Sequence, residues 1–471
     1  MVTGTPRACW PRATILLVVS SLAIGGAFPA NAAAEMQSVV VRPNFLLLVA
    51  DDLGWGDVGW HGGKIKTPNL DRLVREGVEL DQHYVAPMCT PTRVGLLTGR
   101  YASRFGVTSA QNERALPWNT VTLARALKNS GYDTALVGKW HLGSKPEWGP
   151  QKFGFDFAYG SLGGATGPYD HRYQKGPFTD TWHREGKLVR EAGHATDLLA
   201  REAIRWLEQR GRLPFFLYLA FTVPHVPIRE PEAWVSLYPD LEPLSLRHYA
   251  ASVSHMDDVV GQVVRALDRL GKRDQTAIVF FSDNGAIPNE RNDDPQYQPD
   301  DYPPGPAGGS NEPLRGQKRE LYEGGIRVPA FIHWPDKLKP GKFTAPIHVV
   351  DWMPALCALA GYRTSLDLNL DGRDVWPALT GKSAPLPRQL YWAGPKFVSS
   401  AVRDGDWKLV LPDKKARGGL ELFNLAADPF EQTNQAQNEP ARVTALTAWL
   451  KKLSAKDRDA QVDPVEDRNS K

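Results

Sequence analysis

Four short runs in this chain are apolar on both alternating faces, and that restricts the fold more than any other feature. Phe45 to Ala50, Thr134 to Val137, Phe215 to Phe221 and Thr276 to Phe281 read as strands buried on both sides. Helical spacing lies between them, at Thr120 to Asn129, Thr196 to Gln209 and Leu246 to Leu270. In the last of these, Tyr249, Val253, Met256, Val260, Val263 and Leu267 form one stripe, and Gly271 is placed to stop it. Strand, helix, strand in repetition predicts an α/β layer on a mixed, mostly parallel sheet flanked by helices. No internal repeat is present.

The character changes after Ala360-Gly361. Gln389 to Trp392, Ser399 to Arg403, Trp407 to Leu411 and Glu421 to Asn424 read as short strands, with turns at Asp404-Gly405 and Gly418-Gly419. A small antiparallel sheet closed by a helix near Arg442 to Leu453 is the expectation, followed by a loose polar tail from Ala455. Asp293 to Pro313 is rich in Pro, Gly and Asp and has no period. It is too long for an ordinary connection and reads as a functional surface loop.

Arg7 and Arg12 precede an apolar run, Ala13 to Phe28, and Ala30-Asn31-Ala32 fits a small-residue cleavage site. Residues 1–34 therefore read as a signal peptide cleaved near Ala32 to Ala34, leaving a main domain over 35–365 and a C-terminal subdomain over 366–471. The run is too short for a stable membrane span. Losing Arg7 and Arg12 takes the net charge from +3 to +1, which excludes a nucleic-acid binder held by a general basic surface. It also removes Cys9, so only Cys89 and Cys357 remain, and no Asn lies in an N-x-[ST] sequence. These features together point to a bacterial periplasmic or secreted protein.

Two of the apolar strands run into acidic pairs, Asp51-Asp52 and Asp283-Asn284. Ligands of open α/β sheets bind outside the carboxyl ends of strands, so both pairs can meet in one crevice. Three carboxylates and an amide oxygen, with no thiolate or imidazole set, suit a hard divalent cation such as Ca²⁺ or Mg²⁺. An Asp after a strand also caps a helix or makes a turn, and from either pair alone both readings stay open.

Met88-Cys89-Thr90-Pro91-Thr92-Arg93, followed by Leu97-Thr98-Gly99-Arg100, carries a C-x-P-x-R pattern. It resembles the maturation motif of type I sulfatases, in which the Cys is oxidised to Cα-formylglycine. Asp51-Asp52-Leu53-Gly54, Gly138-Lys139-Trp140-His141, Pro224-His225, Ser282-Asp283-Asn284-Gly285, and Lys318 with Glu323-Gly324-Gly325 resemble that family's other blocks, in the family's order. The likeness is greatest to the arylsulfatase and N-acetylgalactosamine 4-sulfatase group, and it implies an alkaline-phosphatase-like fold.

The resemblance also implies roles. Asp51, Asp52, Cys89 (as formylglycine), Asp283 and Asn284 would hold one Ca²⁺, and Cys89, matured by a formylglycine-generating enzyme, would be the nucleophile as a geminal diol. Arg93 would orient the diol, and Lys139 and Lys318 would neutralise the sulfuryl group. His225, aided by Lys318, would protonate the leaving alcohol, and His141 would take the proton of the second diol hydroxyl. The substrate would be a sulfated carbohydrate or an aryl sulfate. Tyr169, Asp170, His171, Arg172, Tyr173 and Trp182 are candidates for a sugar pocket, although each also reads as a rim or core residue.

Two other readings keep the fold and change the activity. A phosphatase or phosphonate monoester hydrolase is one; there the residue after the second acidic position is typically His, where this chain has Asn284. A non-catalytic glycan-binding relative is the other, and it would normally have lost ligands that this chain retains.

Overall fold

The apolar runs lie side by side. The computed structural model describes Met1 and residues 42–173, 178–297, 300–364, 368–413 and 419–462. Its main sheet has ten strands in the spatial order Gly341–Phe343, Val78–Leu80, Ala330–His333, Thr276–Ser282, Asn44–Ala50, Phe215–Ala220, Asp133–Gly138, Phe157–Ser161, Trp182–Arg184 and Lys187–Leu188. Asn44–Ala50 pairs in parallel with Thr276–Ser282 and Phe215–Ala220, and parallel pairing continues through Asp133–Gly138 to Phe157–Ser161. Antiparallel strands join on both sides, Ala330–His333 on one and Trp182–Arg184 on the other.

Alternation explains why the central strands are apolar on both faces. Phe45, Leu47 and Val49 enter one core with Phe216, Tyr218, Val279 and Phe281. Leu46, Leu48 and Ala50 enter a second core with Leu217, Leu219, Ile278 and Phe280, under the stripe of Leu244–Arg269. Each large side chain buried this way stabilises the fold by roughly 1.5–3 kcal/mol. The long helix ends as expected: Gly271 has φ +63° and its amide donates to the Asp268 carbonyl.

One helix begins later than its spacing suggested. It spans Leu123–Asn129, because Thr122 is the cap whose hydroxyl accepts from the Arg125 amide. Gln389–Ala393, Ser400–Asp404, Trp407–Leu411 and Glu421–Asn424 form the small antiparallel sheet, packed by the helix Pro440–Ser454. That sheet is anchored by a buried cation: Nζ of Lys408 lies 2.8 Å from both Glu323 and Glu431. The expected leader (apart from Met1), the 365/366 boundary, Gly418 and the tail beyond residue 462 lie outside the described residues. Among the described residues no helix is long and apolar enough to cross a membrane, and Cys89 and Cys357 are both free and buried.

His255, on the long helix, donates from Nδ1 to Glu230 at 2.7 Å and from Nε2 to Asp197 at 3.0 Å. Burial opposes its charged form, but the two carboxylates outweigh it and raise the imidazole to about 9. Its folded value lies above the unfolded one, so its stabilisation is complete below pH ~6.5 and is lost as pH rises through about 9. Chemical denaturation should therefore show the wild type losing a few kcal/mol more than His255→Gln between pH 6.5 and 9.5, and equal losses would exclude the paired imidazolium.

Candidate active site

The parallel register sets Ala50 beside Ser282 and Val49 beside Ala220, which is itself beside Gly138. The next residues along these strands therefore emerge at one edge: Asp51, Asp283 and Lys139 are all fully buried there. Asp52 has φ +69°, a left-handed conformation that Asp tolerates better than most residues, and this turns the chain sharply after the strand. At Gly138 a Cβ would stand 1.8 Å from the Ala220 carbonyl oxygen, so only glycine permits the approach by which the Lys139 amide donates to that oxygen at 2.8 Å.

Each carboxylate meets a cation. Nζ of Lys139 donates to Oδ2 of Asp51 at 2.6 Å, and Nζ of Lys318 donates to both oxygens of Asp52 at 2.6 and 2.8 Å. Arg93 donates from Nε and Nη2 to Oδ2 of Asp283 at 3.1 and 2.8 Å, and from Nη1 to the Lys139 carbonyl and the Tyr218 hydroxyl. Nδ2 of Asn284 donates to Oδ1 of Asp52 at 2.6 Å. Burial alone would raise the Asp52 carboxyl, but Lys318, His225 and Lys139 hold it below its ordinary range. Burial prevails at Asp283, which with Asp51 nearby rises to about 6, and at Asp51, which also rises.

Two oxygens are left over. Oδ1 of Asp51 and Oδ1 of Asn284 are buried and accept no hydrogen bond. Buried acceptors without partners are costly, and a hard cation satisfies oxygens of this kind. The residues present thus fit a Ca²⁺-type ion. Asp51, Asp52 and His225 bring ligand atoms within 4.8 Å of one another, as do His194, Asp197 and His255. In the second group His194 accepts from the Thr196 amide through Nδ1 and bonds the Arg229 carbonyl through Nε2, so neither nitrogen has a free lone pair.

Cys89 opens the helix Cys89–Thr98. Burial raises its thiol despite the Lys139 and Lys318 charges. A thiol held protonated is a weak nucleophile. His141 has φ +57° and no partner on either ring nitrogen; burial, then Lys139, Arg93, His225 and Lys318, push it well below the usual imidazole range. Gly164 lies against it, where a Cβ would stand 2.7 Å from Nε2. His225 lies 3.6 Å from Asp52, bonds the Val226 carbonyl through Nδ1, and is lowered to about 4, chiefly by burial.

The family profile for sulfatases matches residues 43–362. The chain belongs to the sulfatase family. Mouse arylsulfatase J is 30% identical over 91% of this chain and 78% of its own length, and mouse N-acetylgalactosamine-6-sulfatase is 33% identical over 82% and 73%. The crystal structure of Ps i-CgsB in complex with k-i-k-neocarrahexaose is 31% identical, with a TM-score of 0.79, covering 91% of this chain and 96% of that one. This sulfatase is thus a sulfuric ester hydrolase with an alkaline-phosphatase-like fold.

All ten residues singled out from the sequence, Asp51, Asp52, Cys89, Arg93, Lys139, His141, His225, Asp283, Asn284 and Lys318, join one network of contacts and mutual electrostatic influence. The suggested sugar pocket divides. Asp170, His171, Arg172 and Trp182 line a cavity of about 540 Å³, whereas Trp182 is also core and donates to the Tyr159 hydroxyl. Tyr218 was not anticipated. Its signal is a lone hydroxyl in an otherwise apolar strand, and it accepts from Arg93 at 3.2 Å.

Asp283→Ala leaves the buried Arg93 guanidinium without its carboxylate, a loss of roughly 3–5 kcal/mol. Denaturation should show that loss, while Asp283→Asn, which keeps an acceptor, falls nearer the wild type. Calorimetric Ca²⁺ binding should weaken in both variants; unchanged binding would remove Asp283 from the ligand set.

Proposed function

We propose that this sulfatase is exported, carries formylglycine at Cys89, binds one Ca²⁺ and hydrolyses sulfate monoesters of carbohydrates, with aryl sulfates as accepted surrogates. The observation that carries the reading is Cys89 at the head of a buried helix, inside the cluster of Asp51, Asp52, Asp283 and Asn284 with its two unpartnered oxygens. A protonated Cys89 thiol has little nucleophilic character, so conversion to an aldehyde hydrate answers a deficiency of this site. When bound, Ca²⁺ supplies Lewis-acid polarisation of a sulfate oxygen and lowers the pKa of the hydrate. Asp51, Asp52, Asp283 and Asn284 would hold it, with the Cys89-derived hydrate completing the set.

The remaining roles belong to the chain's own side chains. Lys139 and Lys318, both buried, place two ammonium groups where negative charge gathers on the sulfuryl oxygens. Arg93, fixed by Asp283 and Tyr218, orients the group made from Cys89. His225 and Lys318 stand together beside Asp52, and His225 delivers a proton to the leaving oxygen once the anionic substrate favours its charged form. His141, neutral and without a protein partner, is suited to take a proton on the opposite step. A carbohydrate substrate is supported by the N-acetylgalactosamine-6-sulfatase relatives and by the neocarrahexaose complex of Ps i-CgsB. Export to the periplasm or medium rests on the leader sequence.

Peptide mass spectrometry of the Cys89 fragment, from protein made with a formylglycine-generating enzyme, tests the reading directly. A formylglycine mass supports it, and unmodified Cys89 in active enzyme sinks it. Cys89→Ala should abolish sulfate release while leaving the melting temperature nearly unchanged, since one small side chain is lost. Chelation with EDTA should abolish turnover and added Ca²⁺ restore it, measured with 4-nitrophenyl sulfate; full activity in excess chelator would exclude the metal.

A further inference from the structure

The segment carrying His225 has little backbone support. Among the described residues, Pro224–Glu230 form no backbone–backbone hydrogen bond, although the Val223 carbonyl just before them accepts from the Asp51 amide. Buried backbone of this kind depends on side chains for its partners. Asn292 supplies them at Ile228. Its side chain is fully buried; Oδ1 accepts from the Ile228 amide at 2.6 Å and Nδ2 donates to the Ile228 carbonyl at 2.8 Å. These are the two bonds a neighbouring strand would make. Nδ2 also donates to the Pro303 carbonyl at 3.1 Å, and the Asn292 amide donates to Gly305 at 2.9 Å. Asn292 thereby ties the His225 segment to the aperiodic loop through main-chain groups, beside the half-buried Arg229, whose Nη1 donates to the Asp300 carbonyl and Oδ1 at 2.9 and 2.8 Å.

Asn311 repeats the arrangement at the loop's other end. Its Oδ1 accepts from the Ala286 amide at 2.8 Å, and Nδ2 donates to the Ala286 and Gly316 carbonyls at 2.9 and 3.1 Å. The Lys318 amide donates to the same Ala286 carbonyl at 3.2 Å. Two buried amides thus hold the loop in register with the segments presenting His225 and Lys318.

We infer that Asn292 is a positioning residue for proton delivery to the leaving group, acting through Ile228 on His225. This rests on the assignment of His225 as the leaving-group donor. As an oxygen of the Cys89-derived hydrate bonds to sulfur, the bond from sulfur to the leaving oxygen breaks; its electron pair goes to that oxygen, which takes the His225 proton and departs as the alcohol. No other common side chain replaces the clamp: Asp lacks both donors, Gln is one methylene too long, and Ala makes no bond. A nitrophenolate leaves readily without a proton, whereas an alkoxide does not, so a misplaced donor penalises substrates according to leaving-group basicity.

The test is kcat/KM for the full, matured chain across substituted phenyl sulfates and an alkyl sulfate, in wild type, Asn292→Ser, Asn292→Ala and His225→Ala. Asn292→Ser buries no charge against the Ile228 and Pro303 carbonyls and is too short to make the clamp's paired bonds, so it keeps the fold testable if Asn292→Ala is unstable. The Asn292 variants should lose roughly threefold or less with 4-nitrophenyl sulfate and on the order of 30- to 100-fold with the alkyl sulfate. Hydrogen exchange should quicken in the peptide spanning residues 221–231. Uniform loss across the series, or no loss, overturns the positioning role. If His225→Ala steepens the dependence while the Asn292 variants stay parallel to wild type, only the positioning role falls. If His225→Ala is itself flat, the donor assignment falls and this inference with it.

Discussion

Three carboxylates held out of water at the ends of two adjacent strands set the terms for the whole site. Asp51, Asp52 and Asp283 cannot all remain charged there without compensation, because the Coulomb and desolvation costs in a buried setting are large. The chain meets that requirement with three cations from three different places: Lys139 at the end of Asp133–Gly138, one strand removed, Arg93 on the helix begun by Cys89, and Lys318 beyond the long loop. A side chain that serves the carboxylates is thereby brought to where an anionic ester would be received. Charge balance and anion recognition use the same groups, which is why the cluster contains so few idle residues.

The scaffold around it is arranged to keep these groups still. The central strands fix Asp51, Lys139 and Asp283 through sheet hydrogen bonds, but His225 and Lys318 lie on segments without regular structure. Asn292 and Asn311 compensate by making strand-like bonds with side-chain amides. The small C-terminal sheet contributes in the same sense from another direction, since Lys408 holds Glu323 at the start of the short helix Glu323–Ile326 that follows Lys318. Rigid elements and buried amides together give the orientation that charge alone cannot supply.

How much of this was legible in the chain differs from element to element. The four central strands were readable because both faces of each are apolar, and the long helix because its stripe repeats over about five turns and is followed by Gly271. The start of Leu123–Asn129 was misplaced by three residues, since Thr120 and Thr122 are equally good caps in sequence and only the fold selects Thr122. The ten candidate residues were readable because each belongs to a local motif. Tyr218, Asn292 and Asn311 have no such motif. Arg93 and Tyr218 are 125 residues apart, and Asn292 and Ile228 are 64 apart, so nothing near either partner announces the bond.

The sequence by itself determined the chemistry available: three carboxylates and an amide after apolar strands, two lysines and two histidines in short motifs, and a cysteine in a recognisable frame. It determined the element types too, because periodicity is a local property. Only the tertiary structure decided which carboxylate meets which cation and which oxygens, Asp51 Oδ1 and Asn284 Oδ1, are left without a hydrogen-bond partner. The reason is physical. Parallel register places residues from Asn44–Ala50, Phe215–Ala220 and Thr276–Ser282 at one level, and the contacts made there depend on distances that no stretch of chain encodes alone.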